Sequence, residues 1–260
     1  MPARAERAGA RALVALYCPA AARAVFDNLS QLESEIQVAV SPRLDHTVAH
    51  ARLEWWRGEA ARTARGGPEH PLTRALQAQL AAAGAPALAL EGLIDNAAWD
   101  LAGAAFPDER ALSAYCERWA RAFILPFTAV LGHADPLGSL RLGTQLCRLE
   151  LLLRSASADR DSRPAEGTRS VTSEHELAAT HARARDALAQ AARALPLASQ
   201  RPLRPLLVWA ALLHRQSRRA AARPVRAGPA QRLQPMDGWR AWRAARRAAQ
   251  GRFRLDGERP

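Results

Sequence analysis

The chain has 260 residues, 48% of them hydrophobic and 24% charged, which is enough apolar material for a core and too much for a disordered chain. No apolar run approaches the ~18–20 residues needed to cross a bilayer, which excludes a spanning helix. All 37 basic residues are arginine, and residues 201–260 hold 15 of them against Asp237, Asp256 and Glu258, so that end carries the whole net charge of +12.

Val and Ile are sparse, and good helix formers (Ala, Leu, Arg, Glu) fill the chain, which predicts an all-α protein. The first helix is predicted over about 19–40 and is stopped by Ser41-Pro42. Asp45 is a candidate N-cap for a second, running to about 64. Helices over 71–83 and 86–101 follow, separated by Gly84. Asp108 caps a long one over 109–131 that Gly132 closes. Asp135-Pro136 opens the next, with Leu140, Gly143, Leu146, Leu149 and Leu153 on its apolar side. Residues 158–172 read as polar loop, after which Ser173 and Glu176 form a capping box for a helix to about 195. An apolar helix over 205–223 and a short basic one over 236–250 complete the set. The expected organisation is an N-terminal extension (1–18), one helical domain (19–226) and a basic helix and tail (227–260).

Cys18, Cys116 and Cys147 are far apart and form no metal or redox spacing, which suits buried thiols in a reducing compartment. Residues 1–16 contain neither an apolar h-region nor a cleavage site, so the expected location is cytoplasmic. The basic end could hold such a protein at the inner membrane face, since arginines attract anionic headgroups. His175-Glu176 with His181 does not have the H-E-x-x-H spacing, and His46 and His50 share a helical face but lack a third ligand nearby. A nucleic-acid role rests on charge alone, with no recognition motif, so that partner is not expected.

The most informative block is Arg52-Leu53-Glu54-Trp55-Trp56-Arg57. It lies downstream of Leu32-Glu33-Ser34-Glu35-Ile36 and ahead of a Gly-Gly-Pro-Glu-His-Pro loop from Gly66 to Pro71. Adjacent helical residues point ~100° apart, so one tryptophan, Trp56, is expected to be buried. The arrangement resembles the squalene/phytoene synthase family, whose members carry an R-L-x-W-W-R-like helix after their first acidic motif. That resemblance implies a single isoprenoid-synthase-like bundle around a central cavity. It also implies an enzyme that condenses two prenyl diphosphates with Mg²⁺ held by aspartates spaced i, i+4 on facing helices.

The acidic motifs depart from that pattern. Where active members show a D-D-x-x-D-like cluster, this chain reads Gln31-Leu32-Glu33-Ser34-Glu35, with Asp27 at least a turn earlier. The second motif matches at Leu153-Arg154, but Ser155 stands at the first aspartate and only Asp159 survives. The segment Leu93 to Leu101 is similar to a third family stretch and supplies Asp95 and Asp100. Trp239-Arg240-Ala241-Trp242-Arg243 looks like the family's closing W-x-x-W-R-like element. Carried over, the resemblance assigns Glu35, Asp95 and Asp159 to catalysis, Glu35 and Asp159 to metal, and Arg52, Arg57 and Arg154 to diphosphate. The pattern is closer to the divergent branch that includes the mitochondrial complex I assembly factor. It implies a weakly active or non-catalytic binding or assembly factor, whose partners would be a prenyl diphosphate or other isoprenoid-like ligand and another protein. The alternative is an active Mg²⁺-dependent prenyltransferase.

Overall fold

The computed structural model describes residues 9–41, 44–161, 171–222 and 233–255, with the backbone alone over 155–161 and 171–174. Every regular element among these residues is helical, as the composition predicts. In chain order they are α1 (Ala10–Ala15), α2 (Ala20–Ala39), α3 (His46–Ala64), α4 (Pro71–Ala82), α5 (Glu91–Leu101) and α6 (Glu109–Trp119). A π-helical turn (Ala120–Ile124) leads into α7 (Leu125–Val130), followed by α8 (Pro136–Asp161) and α9 (Val171–Arg193). The last three are α10 (Leu197–Gln200), α11 (Arg204–Ala222) and α12 (Pro235–Ala249). Two compact units result, Pro19–Thr144 and Met1–Cys18 with Gln145–Pro260.

Local chemistry sets most helix starts. Asp45 Oδ1 accepts from the Thr47 amide at 2.8 Å, and Asp108 Oδ1 from Ala111 at 2.7 Å, so both expected caps form. Asp135 Oδ1 accepts from Gly138 at 2.9 Å. Gly132 takes φ +74°, the left-handed closing conformation that only glycine adopts cheaply. Three expectations are corrected. Residues 86–90 are not helical, and α5 starts at Glu91. Leu88 and Leu90 are buried while Ala87 and Ala89 are exposed, the two-residue alternation of an extended segment. Likewise α9 begins at Val171, so Ser173 falls within its first turn rather than ahead of it. The expected loop over 158–172 is helical through Asp161, and residues 162–170 lie outside the described ones.

In the Pro19–Thr144 unit, α2 buries Ala22, Val25, Phe26, Leu29, Leu32, Ile36 and Ala39, a 3–4-residue spacing that keeps one stripe inward. Phe26 meets Phe123 edge-on at 5.8 Å and Phe127 at 5.1 Å, and Phe123 stacks on Trp119 at 5.0 Å. The π turn behind these rings has a local cause. Pro126 has no N–H, and its ring would press on the carbonyl four residues back in a continuous α-helix. Widening the turn lets Leu125 donate to the Ala120 carbonyl and restarts the α-helix with Pro126 in its first turn, where no donor is needed. Gly143 packs so closely on this turn that a Cβ would lie 2.8 Å from Ile124 Cγ1.

In the other unit, α11 is buried almost all round from Pro205 to Leu213. The Arg11 guanidinium lies 5.0 Å from the Trp209 ring centroid and donates to Glu150 Oε2 at 2.7 Å and Oε1 at 3.3 Å. His181 on α9 is fully buried with Nδ1 2.9 Å from Ser217 Oγ, and Arg185 Nη1 donates to the same oxygen at 3.3 Å. Burial, and secondarily Arg185, hold the pKa of His181 below its ordinary value. All three cysteines are buried, as expected.

Candidate functional site

Within the Pro19–Thr144 unit, α2 and α3 flank an open cavity of about 330 Å³ lined by Glu35, Val38, Ala39, Arg52, Trp55 and Trp56. Two of the residues assigned from sequence, Glu35 and Arg52, thus share one site. As expected for adjacent helical residues, the tryptophans divide: Trp56 is 5% exposed and Trp55 44%. Their rings meet edge-on at 5.0 Å. His70 packs beside both, 5.0 Å from Trp56 and 5.9 Å from Trp55 between centroids.

His70 then closes the site. Its Nδ1 accepts from the Leu72 amide at 3.3 Å and so caps α4, which places the ring proton on Nε2. That nitrogen lies 3.0 Å from Glu35 Oε2, and Gln31 Nε2 donates to Glu35 Oε1 at 3.2 Å. Both oxygens of Glu35 are therefore engaged by protein donors.

What holds His70 is a residue the sequence reading passed over. Glu59 on α3 is 0% exposed and gathers the Gly66–Pro71 loop around its carboxylate. It accepts from the amides of Glu69 at 3.0 Å and His70 at 2.8 Å, from the Thr73 hydroxyl, and from Arg62 Nε at 2.9 Å. Burial alone would raise its pKa, but these donors together hold it below its ordinary value. The chain of causes runs from Glu59 through the loop amides to His70, and from His70 to Glu35 and the Trp56 ring. A glutamate one turn past a Trp-Trp pair looks like surface in a sequence. Only Thr73 and the His-Pro start of α4 hinted that something nearby needed an acceptor.

The other assigned residues sit elsewhere. Glu33, also weighed for the first acidic motif, is 8% exposed and accepts from Trp119 Nε1 at 2.9 Å. It faces the interior of this unit, not the cavity. Arg57 is exposed and pairs with Glu54 on its own helix. Asp95 is exposed on α5 and does not line the cavity. Asp100 accepts from Tyr115 Oη at 3.0 Å and Gln37 Nε2 at 3.1 Å. Arg154 belongs to the other unit, where its Nη2 lies 3.6 Å from Glu150 Oε2. The side chains of Ser155 and Asp159 lie outside the described residues. His46 and His50 approach to 3.0 Å between Nε2 atoms, exposed.

Mg²⁺, which the resemblance implies, does not fit the donors at this cavity. Glu35 is the one carboxylate among the lining residues, its two oxygens already accept from His70 and Gln31, and Arg52 adds positive charge to the wall. Among the described residues no three His, Cys, Asp or Glu side chains gather as a metal-binding group. Its wall combines the Arg52 guanidinium and the Glu35 carboxylate with the apolar surfaces of Val38, Ala39, Trp55 and Trp56.

Neither a curated protein nor a solved structure matches the chain. The family model described as squalene/phytoene synthase matches residues 7–153, a stretch that contains the cavity, the tryptophan helix and the Glu59 cluster and ends one residue before Arg154. Spanning more than half of the 260 residues and an all-helical fold, that match establishes that the chain belongs to the squalene/phytoene synthase family.

Proposed function

We propose that this family member is a binding or assembly factor that turns prenyl diphosphates over weakly or not at all. The observation that carries the reading is the use made of the first acidic stretch. Glu35 is committed to His70 and Gln31, and Glu33 to Trp119. Ionising an allylic diphosphate leaves charge on pyrophosphate, and metal ions bridged to clustered carboxylates are what stabilise it. Losing ~4 kcal/mol of that stabilisation slows turnover about a thousandfold. An isoprenoid-like ligand would place its head at Arg52 and its chain on the Val38–Ala39–Trp56 wall. An assembly role is what the resemblance of its degraded acidic motifs to the divergent branch that includes the mitochondrial complex I assembly factor suggests.

The test is pyrophosphate release by purified protein with Mg²⁺ and farnesyl or geranylgeranyl diphosphate, read beside quenching of Trp fluorescence by a non-ionisable thiodiphosphate analogue. We expect quenching with little or no release, and no rescue by Ser155→Asp alone, because the first acidic position remains engaged. The second reading, an active Mg²⁺-dependent prenyltransferase, draws on Glu35 and Arg52 sharing one apolar-walled cavity. Efficient Mg²⁺-dependent release by the unmodified chain would establish it and end the first.

A further inference from the structure

Helix α12 is built inside out. A docked helix ordinarily turns its large apolar side chains inward. This one buries Ala241, Ala244, Ala245 and Ala248 and presents Met236, Trp239 and Trp242 to solvent at 51, 47 and 47% exposure. Its rotation is fixed by Asp237, which is 1% exposed. Asp237 accepts from Arg215 Nε at 3.0 Å and from Arg219 Nη1 and Nη2 at 3.0 Å, and closes a capping box with Gln234. With Asp237 locked inward, Trp239 and Trp242 point ~160° and ~140° away from it, at ~100° per residue. Each exposed ring carries a guanidinium four residues on: Arg243 lies 4.6 Å from the Trp239 centroid and Arg246 5.4 Å from that of Trp242.

We propose that this outer face of α12 is a docking surface for an anionic lipid bilayer. Indole rings prefer the headgroup level, where the ring meets acyl chains and its N–H stays wet. Arginines beside them bury their stems while the heads meet phosphate. Charge complementarity points the same way, because residues 201–260 carry the chain's entire net charge of +12. Single-stranded nucleic acid is the poorer fit. Base stacking needs free ring faces, and one face of each tryptophan is already covered by its own guanidinium. No helix among the described residues can cross a membrane, so the contact would be peripheral.

The test is flotation of the full chain with vesicles of phosphatidylglycerol mixed with phosphatidylcholine, against phosphatidylcholine alone. The unmodified protein should float with the anionic vesicles and detach as salt rises. W239A/W242A and R243E/R246E should each lower vesicle affinity on the order of tenfold or more, with melting temperatures unchanged because all four side chains lie on the outer face. Tryptophan quenching by brominated lipid, which needs no variant, should accompany binding. Flotation of W239A/W242A equal to the unmodified chain, equal binding to phosphatidylcholine alone, or absence of quenching would each overturn the proposal. So would binding to single-stranded RNA that depends on Trp239 and Trp242 when vesicles are not bound.

Discussion

Helices α3 and α12 each carry a tryptophan pair among arginines, and the structure treats the pairs oppositely. On α3 the two are adjacent in sequence, so the helix must split them, and Trp56 goes inside while Trp55 stays half out. On α12 they are three apart, ~60° around the helix, so both can share one face, and both stay out. The difference lies in what fills the inward side. Behind Trp56 there is a histidine held in place by a buried glutamate, whereas the inward side of α12 is alanine locked down by Asp237. Composition alone makes the two segments look alike, and spacing decides which is core and which is surface.

The sharpest way to break this comparison is truncation. Trp56→Ala should cost about 3–5 kcal/mol, the range for buried aromatic truncations, in chemical denaturation. W239A/W242A should move stability by less than about 0.5 kcal/mol, as for surface changes. A shift of only a degree or two in Trp56→Ala would show that its ring is not core. Next comes the anchor behind it. Glu59→Ala should cost about 3 kcal/mol, because it leaves loop amides and Arg62 without a buried partner. Glu59 also sets a pH signature. Its folded pKa lies below the ordinary 4.5, so its contribution is complete above about pH 4.5 and drains as pH falls toward the folded value. Urea melts from pH 6 down to about pH 3 should lose that slope in Glu59→Gln.

A second pH effect belongs to the other unit. His181 also titrates lower when folded, so stability is complete above about its ordinary 6.5 and declines as pH falls below it, since the unfolded chain takes up the proton first. His181→Phe should remove that decline between pH 6.5 and 5, and an unchanged slope would place the titration elsewhere. The smallest effect is expected at Arg57. Its pair with Glu54 is exposed, and Arg57→Ala should change stability by about 0.3–0.5 kcal/mol, a loss that salt erases.

The helices and their caps at Asp45 and Asp108 were legible because a cap is a local bargain between one side chain and an amide two or three residues on. The family was legible from one contiguous block for the same reason. Residues 86–90 were misread because Leu88 and Leu90 bury on alternate positions, a pattern too short to distinguish from a helical face. The roles of Glu59 and Glu33 were not legible because the loop amides and the ring N–H that bind them lie 10 to 86 residues away, and nothing in a mid-helix glutamate announces a buried donor elsewhere. Glu35 and Arg52 line one cavity, but the histidine that occupies Glu35 was hidden in a loop.

The wide turn at Ala120–Ile124 bears on how this segment tolerates insertions and deletions. A π turn holds one residue more than the α-turn it replaces. Removing one residue there would press the Pro126 ring back onto a carbonyl of the preceding turn, and it would swing everything on one side by ~100° relative to the other. Trp119 would then lose its place over Phe123 and beside Glu33, and the close seat of Gly143 on Ile124 would vanish with it. Length variation in descendants of this chain should therefore collect in the loops and spare these five residues, even though none of them touches the cavity.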